Sequence, residues 1–307
     1  MKHTVVLTAA FPPLAREILA GQFDVVEHPT EQARSEDEMI TILSEADGAV
    51  TLLSDPLTRR VLAANPNLRI VANFAVGYNN IDLDAARELG VVVTNTPGVL
   101  TEATADLTLA LILAVSRRIV EGDAEVRGSG RCEWDPLKLL GIALQGKRLG
   151  IVGMGRIGAA VARRAAGFGM NVVHHSRSRG IPLPDLLGAS DIVSLHTPLT
   201  AETRHIIDRA ALGRMKRGSL LVNTSRGALV DEEALCDALD AGHLRGAALD
   251  VYEDEPRVNP RLLAMPNVVI VPHIGSATEE ARNAMASTAA TDVRRFLSGQ
   301  PPLHRVV

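Results

Sequence analysis

Gly153, Gly155 and Gly158 stand in G-x-G-x-x-G spacing within "GIVGMGRIG", directly after an apolar run and at the head of a helical pattern. In that setting the first glycine permits a tight turn, the second lets a pyrophosphate approach the backbone, and the third lets helix and strand pack closely. The helix N-terminus then faces the phosphates. Met154, Arg156 and Ile157 fall inside the same turn and are expected to line it. Without the strand before and the helix after, the same glycines would signal only ordinary turns and packing. A unit that binds NAD places an Asp or Glu about 20 residues past its first fingerprint glycine, to accept from the adenosine ribose. Here that position falls near His175 or Ser176 in "NVVHHSRSRG", and no Asp or Glu occurs between Asp135 and Asp185. Ser176, Arg177 and Arg179, with Ser178 among them, instead offer hydroxyls and guanidinium forks suited to a dianionic 2'-phosphate. The expected cofactor is NADP, with NAD possible; the plain alternative is a solvated basic loop that holds no ligand.

Three further polar residues close apolar runs: Arg226 after "SLLVNT", Glu255 after "RGAALDV" and His273 in "NVVIVPH". Taken singly, Arg226 also reads as a residue that caps or solvates a strand end. Glu255 likewise reads as one of several acids in an exposed turn, and His273 as an ordinary strand-end histidine. Together they lie where open α/β sheets bind ligands, at the carboxyl ends of strands, and this favours a shared chemical role. His174 and His175 have no Cys or carboxylate beside them, so they suit a cofactor loop better than a metal, and no metal site is expected.

The elements that must position these groups alternate from the start. "TVVLT", "FDVVE", "GAVTLL", "LRIVANF" and "VVVTN" are separated by helical patterns, including one around Leu14 to Leu19 and one from Ser35 to Glu45. A second series runs from "KRLGIVGMG" through "NVVHH", "DIVSLH", "SLLVNT", "RGAALDV" and "NVVIVPH". Alternation of this kind predicts two α/β domains with parallel sheets, Rossmann-like or flavodoxin-like, with the active site in a cleft between them. Between the series, "TEATADLTLALILAVSRRIVEGDAEV" predicts one long helix with Thr101 as its N-cap, and a last helix runs from about Ser276 to Leu297. If that last helix packs back on the first series, a discontinuous substrate domain covers 1–97 plus 276–307. A dinucleotide-binding domain then covers 98–275.

Composition limits the partners. The 307 residues are 46% apolar with a net charge of -4, enough to bury two cores and without a basic surface for nucleic acid or a membrane. No stretch reaches the roughly 18 unbroken apolar residues of a membrane span. Two cysteines, Cys132 and Cys236, lack disulfide or zinc spacing, are expected to be inert, and fit a reducing cytoplasm.

"VNTSRGALVDEEAL", "GAALDVYEDEP" and "NVVIVPHIGSAT" resemble the three signature segments of the D-2-hydroxyacid dehydrogenases. The resemblance covers essentially the whole chain. "NFAVGYNNIDLDAARELGVVVTNTPGVLTEATAD" and "HSRSR" are most similar to the glyoxylate and hydroxypyruvate reductase branch. It implies that Arg226 binds the substrate carboxylate and carbonyl, that His273 is the acid/base and that Glu255 is its partner. It also implies that Asp250 holds the nicotinamide carboxamide, that Thr104 touches the nicotinamide side, and that Thr224, Ser225 and Gly275 contact the cofactor. Backbone at Val76 and Gly77, with Leu53 nearby, would bind the substrate. The chemistry needs these types: reducing a 2-keto acid builds negative charge on oxygen, which an imidazolium can protonate while a guanidinium holds the carboxylate. A carboxylate beside such an imidazole favours its protonated form.

The expected function is NADPH-preferring reduction of glyoxylate or hydroxypyruvate to the D-2-hydroxy acid, by a homodimer. Two alternatives stay open, a dehydrogenase for another D-2-hydroxy acid, such as a 3-phosphoglycerate-type substrate, and a non-catalytic nucleotide-sensing module. Against the second, a sensor has no need of an acid/base pair. Two departures from the family pattern stand out: the connection "SRSRGIPLPDLLGASDIV" is short, and "RGSGRCEWDPLKLLG" is compact, which leaves a role for Trp134 open.

Overall fold

β-branched runs buried on both faces favour parallel sheets covered by helices, and the chain forms two of them. The computed structural model describes residues 2–30 and 32–307. It divides into Met1–Leu100 with Ser276–Val307, and Thr101–Gly275.

The first unit runs β1 (Thr4–Leu7), α1 (Pro13–Leu19), β2 (Asp24–Glu27), α2 (Glu36–Leu43), β3 (Gly48–Thr51), α3 (Arg59–Ala64), β4 (Ile70–Asn73), α4 (Leu83–Leu89) and β5 (Val92–Thr94). Its strands are all parallel in the order β2-β1-β3-β4-β5, the flavodoxin-like arrangement. The predicted 35–45 helix begins in a capping box, in which the Ser35 hydroxyl and the Glu38 carboxylate satisfy each other's backbone amides. Val6, Met39, Leu43, Leu62, Val71 and Val93 fill one face of the sheet.

The second unit runs α5 (Thr101–Arg117), α6 (Ile119–Ser129), β6 (Arg148–Val152), α7 (Arg156–Gly167), β7 (Asn171–His175), α8 (Leu183–Ala189), β8 (Ile192–Leu195), α9 (Arg209–Arg214), β9 (Leu220–Asn223), α10 (Glu232–Asp240), β10 (Gly246–Leu249), α11 (Pro260–Ala264) and β11 (Val268–Ile270). Its six strands are parallel in the order β11-β10-β9-β8-β6-β7. Strand order reverses between β6 and β8, the place where such sheets bind nucleotides. The chain then returns to the first unit as α12 (Glu279–Leu297), which packs on α1, β3 and β4.

One expectation fails: 101–126 is not a single helix. Arg118 adopts left-handed backbone, φ 54°, between α5 and α6. The Ser116 carbonyl, which a continuing helix would pair with Val120, instead accepts from the Ile142 amide at 2.9 Å. The Arg118 guanidinium turns to Glu121 in the first turn of α6, at 3.0 and 2.5 Å. Thr101 is also the first helical residue rather than the cap before it. The apolar residues of α5 mostly pack within their own unit, with Leu109, Leu111, Ile112 and Val115 in its core. Exposed apolar side chains gather after the break instead, at Ile119, Val120, Val126, Trp134, Leu137 and Leu140.

Candidate active site

The glycine loop connects β6 to α7. Gly153 has φ +100°, and a Cβ on it would lie 2.5 Å from the His196 carbonyl oxygen; one on Gly158 would lie 2.1 Å from the Gly153 oxygen. Gly155 is different, since nothing lies within 4 Å of where its Cβ would be. The first and third glycines thus make room for protein, and the second leaves room for a ligand. No side chain caps α7 at Gly155 and no acid occupies its first turn, so its amides and dipole remain available to an anion. Met154 and Ile157 pack their side chains against the core, while Arg156 is exposed at the start of the helix. These features fit a dinucleotide pyrophosphate.

At the end of β7 the chain folds into a tight hairpin. His175 bridges to Gly180, the Ser176 amide donates to the Arg179 carbonyl at 2.9 Å, and the Ile181 amide donates to the His174 carbonyl. The shortened connection is therefore closed on itself, with Arg177, Ser178 and Arg179 exposed at its tip. Ser176 departs from the expected role in one respect: its hydroxyl donates to the Arg179 carbonyl at 2.9 Å, leaving only its lone pairs to a ligand. A carboxylate does approach this region from a distant segment. The Thr200 hydroxyl chiefly and its own backbone amide next, with a smaller pull from the Arg177 charge, hold the Glu202 carboxyl below its ordinary range.

His196 closes the apolar run "DIVSLH" just after β8. Its Nε2 meets the Ser194 hydroxyl at 2.8 Å, its Nδ1 is buried without a partner among the described residues, and burial pushes its pKa down to about 4. The ring is therefore neutral at pH 7.

Arg226, Glu255 and His273 follow three adjacent strands, β9, β10 and β11. His273 Nδ1 lies 2.9 Å from Glu255 Oε2, and their side chains keep 28% and 31% exposure, enough to meet a ligand. The Glu255 Oε1 accepts from the Tyr252 amide at 3.0 Å, so both carboxylate oxygens are held. Burial alone would raise the Glu255 carboxyl, but the His273 hydrogen bond and charge, the Tyr252 amide and the Arg226 guanidinium outweigh it and hold it below the ordinary range. With a carboxylate on Nδ1, the proton at that nitrogen is fixed and Nε2 is the atom left to exchange one. Arg226 is half-buried; burial draws its pKa down and the Glu255 charge opposes this, while a guanidinium stays cationic. Its Nη1 donates to the Ser225 carbonyl at 2.6 Å. The residue after it must be glycine, because a Cβ on Gly227 would lie 1.8 Å from the Tyr252 carbonyl carbon. Loss of that side chain is what lets the Arg226 segment lie against the turn carrying Glu255.

Distant residues brace this turn. The Glu253 amide donates to Glu232 at 2.6 Å, and the Glu253 carboxylate meets His205 at 2.6 Å and Arg204 at 3.1 Å. The Tyr252 hydroxyl donates to the Val271 carbonyl at 2.8 Å, tying the turn to the end of β11. Asp250, only 1% exposed, accepts the Ile274 amide at 2.6 Å and the Gly275 amide at 2.8 Å. Both its oxygens thus grip the chain just after His273, whose φ of 51° is uncommon for a side-chain-bearing residue and persists because its surroundings hold it. Burial raises the Asp250 carboxyl above its ordinary range against those amides. Thr104 on α5 lies beside Gly275, the Thr108 and Thr224 hydroxyls pair at 2.9 Å, and the Ser225 hydroxyl donates to the Thr197 carbonyl at 2.6 Å. Val76, Gly77 and Leu53 belong to the first unit, on loops after β4 and β3. Cys236 is buried, with its thiol pushed up to about 11 by burial, and Cys132 is exposed. Among the described residues no cluster of His, Cys, Asp or Glu could hold a metal, and no helix is long and apolar enough to cross a membrane.

Known proteins share this fold. Residues 109–275 match the family model of the D-isomer specific 2-hydroxyacid dehydrogenase NAD binding domain. A glyoxylate reductase from Thermococcus litoralis is 45% identical over 98% of this chain and 96% of its own. A solved protein from Thermus thermophilus superposes with a TM-score of 0.94 at 46% identity, covering 99% of this chain and all of the other (100%). An NADPH-dependent glyoxylate/hydroxypyruvate reductase from Sinorhizobium meliloti, solved with NADP and malonate, gives a TM-score of 0.88 at 32% identity over 100% of this chain and 97% of its own.

Proposed function

The chain belongs to the D-isomer-specific 2-hydroxyacid dehydrogenase family, and from that premise we propose that it reduces glyoxylate and hydroxypyruvate to the corresponding 2-hydroxy acids, with NADPH preferred over NADH. The observation that carries this reading is the 2.9 Å contact of His273 Nδ1 with Glu255, beside Arg226 on the neighbouring strand end.

When bound, the nicotinamide supplies the hydrogen and electron pair that reduce the oxo carbon. His273 Nε2 gives its proton to the oxygen on which charge develops, and Glu255 stabilises the imidazolium before that transfer. Arg226 holds the substrate carboxylate and draws charge from the oxo group, with its planar fork fixing the geometry. Asp250 orients the nicotinamide carboxamide while its grip on the 274–275 amides keeps His273 in place. Thr104, Thr224, Ser225 and Gly275 complete the nicotinamide side; Gly153 to Gly158 hold the pyrophosphate. Arg177, with Ser176 and Ser178 and helped by Arg179, meets the 2'-phosphate. In the first unit, read as the substrate domain, the backbone at Val76 and Gly77 takes the carboxylate beside Leu53; the second unit is read as the dinucleotide-binding domain. The exposed apolar side chains from Ile119 to Leu140 suit a homodimer contact, because surface of that kind is seldom left to water.

Steady-state assays of a panel of 2-keto acids with each cofactor test the reading. Glyoxylate and hydroxypyruvate with NADPH should lead the panel. Absence of turnover on both would overturn the activity, and equal efficiency with NADH would overturn the cofactor preference.

A further inference from the structure

The chain from Ala75 to Gly77 leaves β4 and carries three carbonyls in succession, each held from within the first unit. The Thr96 amide donates to the Ala75 carbonyl at 3.0 Å, Asn95 Nδ2 to the Val76 carbonyl at 2.7 Å, and Asn73 Nδ2 to the Gly77 carbonyl at 2.8 Å. In a trans peptide the C=O and the following N–H point in opposite senses across one plane. Drawing three carbonyls toward the ends of β4 and β5 therefore turns the amides of Val76, Gly77 and Tyr78 the other way. Among the described residues those three amides donate to nothing in the chain. Successive free backbone amides are a site for an anion, and a carboxylate is the anion of a 2-oxo acid.

The two asparagines have little other work. Asn73 is fully buried, yet among the described residues its Oδ1 has no partner and donation to Gly77 is the one hydrogen bond its side chain makes in return for burial. Asn95 follows β5 and is fixed by its own amide, which donates to the His304 carbonyl at 3.3 Å. We propose that Asn73 and Asn95 are positioning residues for substrate recognition, setting the 76–78 amides to bind the carboxylate of the 2-oxo acid, which rests on the reading of this chain as a reductase of such acids. Neither touches the substrate; each acts through the peptide whose carbonyl it holds.

The test compares wild type with Asn95→Ala and Asn73→Ser, using glyoxylate and its uncharged methyl ester as substrates and oxamate as a titrated carboxylate ligand, all with NADPH present. Asn95 is half-buried, so Asn95→Ala keeps the test readable if the Asn73 variant fails to fold. Each variant should raise the oxamate Kd and the glyoxylate KM about tenfold, in line with losing a well-placed hydrogen bond to a charged group, while kcat/KM for the ester stays within twofold. A fall of equal size on acid and ester would mean a merely structural role and overturn the proposal. So would unchanged oxamate affinity in Asn95→Ala, or no oxamate binding by wild type. Wild type that binds oxamate and loses it in the variants, yet does not reduce glyoxylate, would sink the proposed activity and leave the amide site standing.

Discussion

The strand ends that carry Arg226, Glu255 and His273, and the hairpin that carries Arg177, lie toward opposite edges of one six-stranded sheet, β11 at one side and β7 at the other. They are held in different ways. Around His273 the bonds span 18 residues to Glu255, 25 from Gly275 to Asp250 and 21 from Glu253 to Glu232. In the hairpin they span three residues from Ser176 to Arg179 and six from His175 to Ile181. Chemistry placed by distant contacts cannot shift without disturbing the core that supplies them. A loop that closes on itself can change its tip while leaving the rest of the sheet alone. Cofactor choice and catalysis should therefore separate under mutation.

The largest effect should come from the braced side. His273→Ala should lower turnover roughly 10²- to 10⁴-fold, the usual range for losing a general acid, while NADPH titration stays near wild type. Turnover within threefold of wild type would remove His273 from the mechanism. Next, Arg226→Lys keeps the charge but loses the planar fork, and misplacement of this order should cost about 10²-fold in kcat/KM for glyoxylate. Near-normal kinetics in that variant would show that another residue holds the substrate.

On the hairpin side, Arg177→Ala should raise the Kd for NADPH roughly 10- to 150-fold and leave NADH unchanged, since a hydrogen bond to a charged group contributes about 1.5–3 kcal/mol. Equal weakening of both cofactors would reduce "HHSRSR" to a solvated loop. Between the two regions sits His196, which titrates near 4 when folded and near 6.5 as an ordinary histidine. Its folded pKa is the lower, so unfolding takes up a proton between those values and stability falls as pH drops from about 6.5 toward 4. The loss should reach about 2 kcal/mol by pH 5, at about 1.36 kcal/mol per pKa unit. Chemical denaturation of wild type and His196→Asn at pH 7 and pH 5 reads it; parallel losses in the two proteins would show that the ring does not titrate this way. The smallest effect concerns Glu202, an exposed carboxylate close enough to Arg177 to feel its charge. Glu202→Gln should tighten NADPH about two- to fivefold, the scale of an exposed charge pair, and an unchanged Kd would place the two side chains apart in solution.

Much of the site was legible because its signals are local. The glycine spacing sits between a strand and a helix, and each of the three strand-end residues closes an apolar run that β-structure must bury. The same patterning predicted the strands and placed the helices expected at 14–19, 35–45 and 276–297 within a few residues of their observed bounds. What could not be read depends on contacts between distant residues. The break at Arg118 needs the Ile142 amide to take the Ser116 carbonyl, and nothing in an unbroken helical pattern announces that competitor. Asp250 stood out only through the family resemblance, and its two bonds to the 274–275 amides exist only once β10 and β11 pair. Ser176 read as a hydroxyl donor for a phosphate, and the turn spends that donor on Arg179. His196 ends the run "DIVSLH", and the burial of its Nδ1 follows only from the folded sheet.

If Glu255 acts through His273, the two should behave as one unit, and a double-mutant cycle measures this most directly. In wild type, Glu255→Gln should lower kcat/KM for glyoxylate by about tenfold or more, because the imidazolium loses its charged partner. The same change made in His273→Ala should lower it by less than about twofold, because nothing remains for the carboxylate to support. Losses that simply multiply would mean that Glu255 and His273 act independently, and would contradict the account.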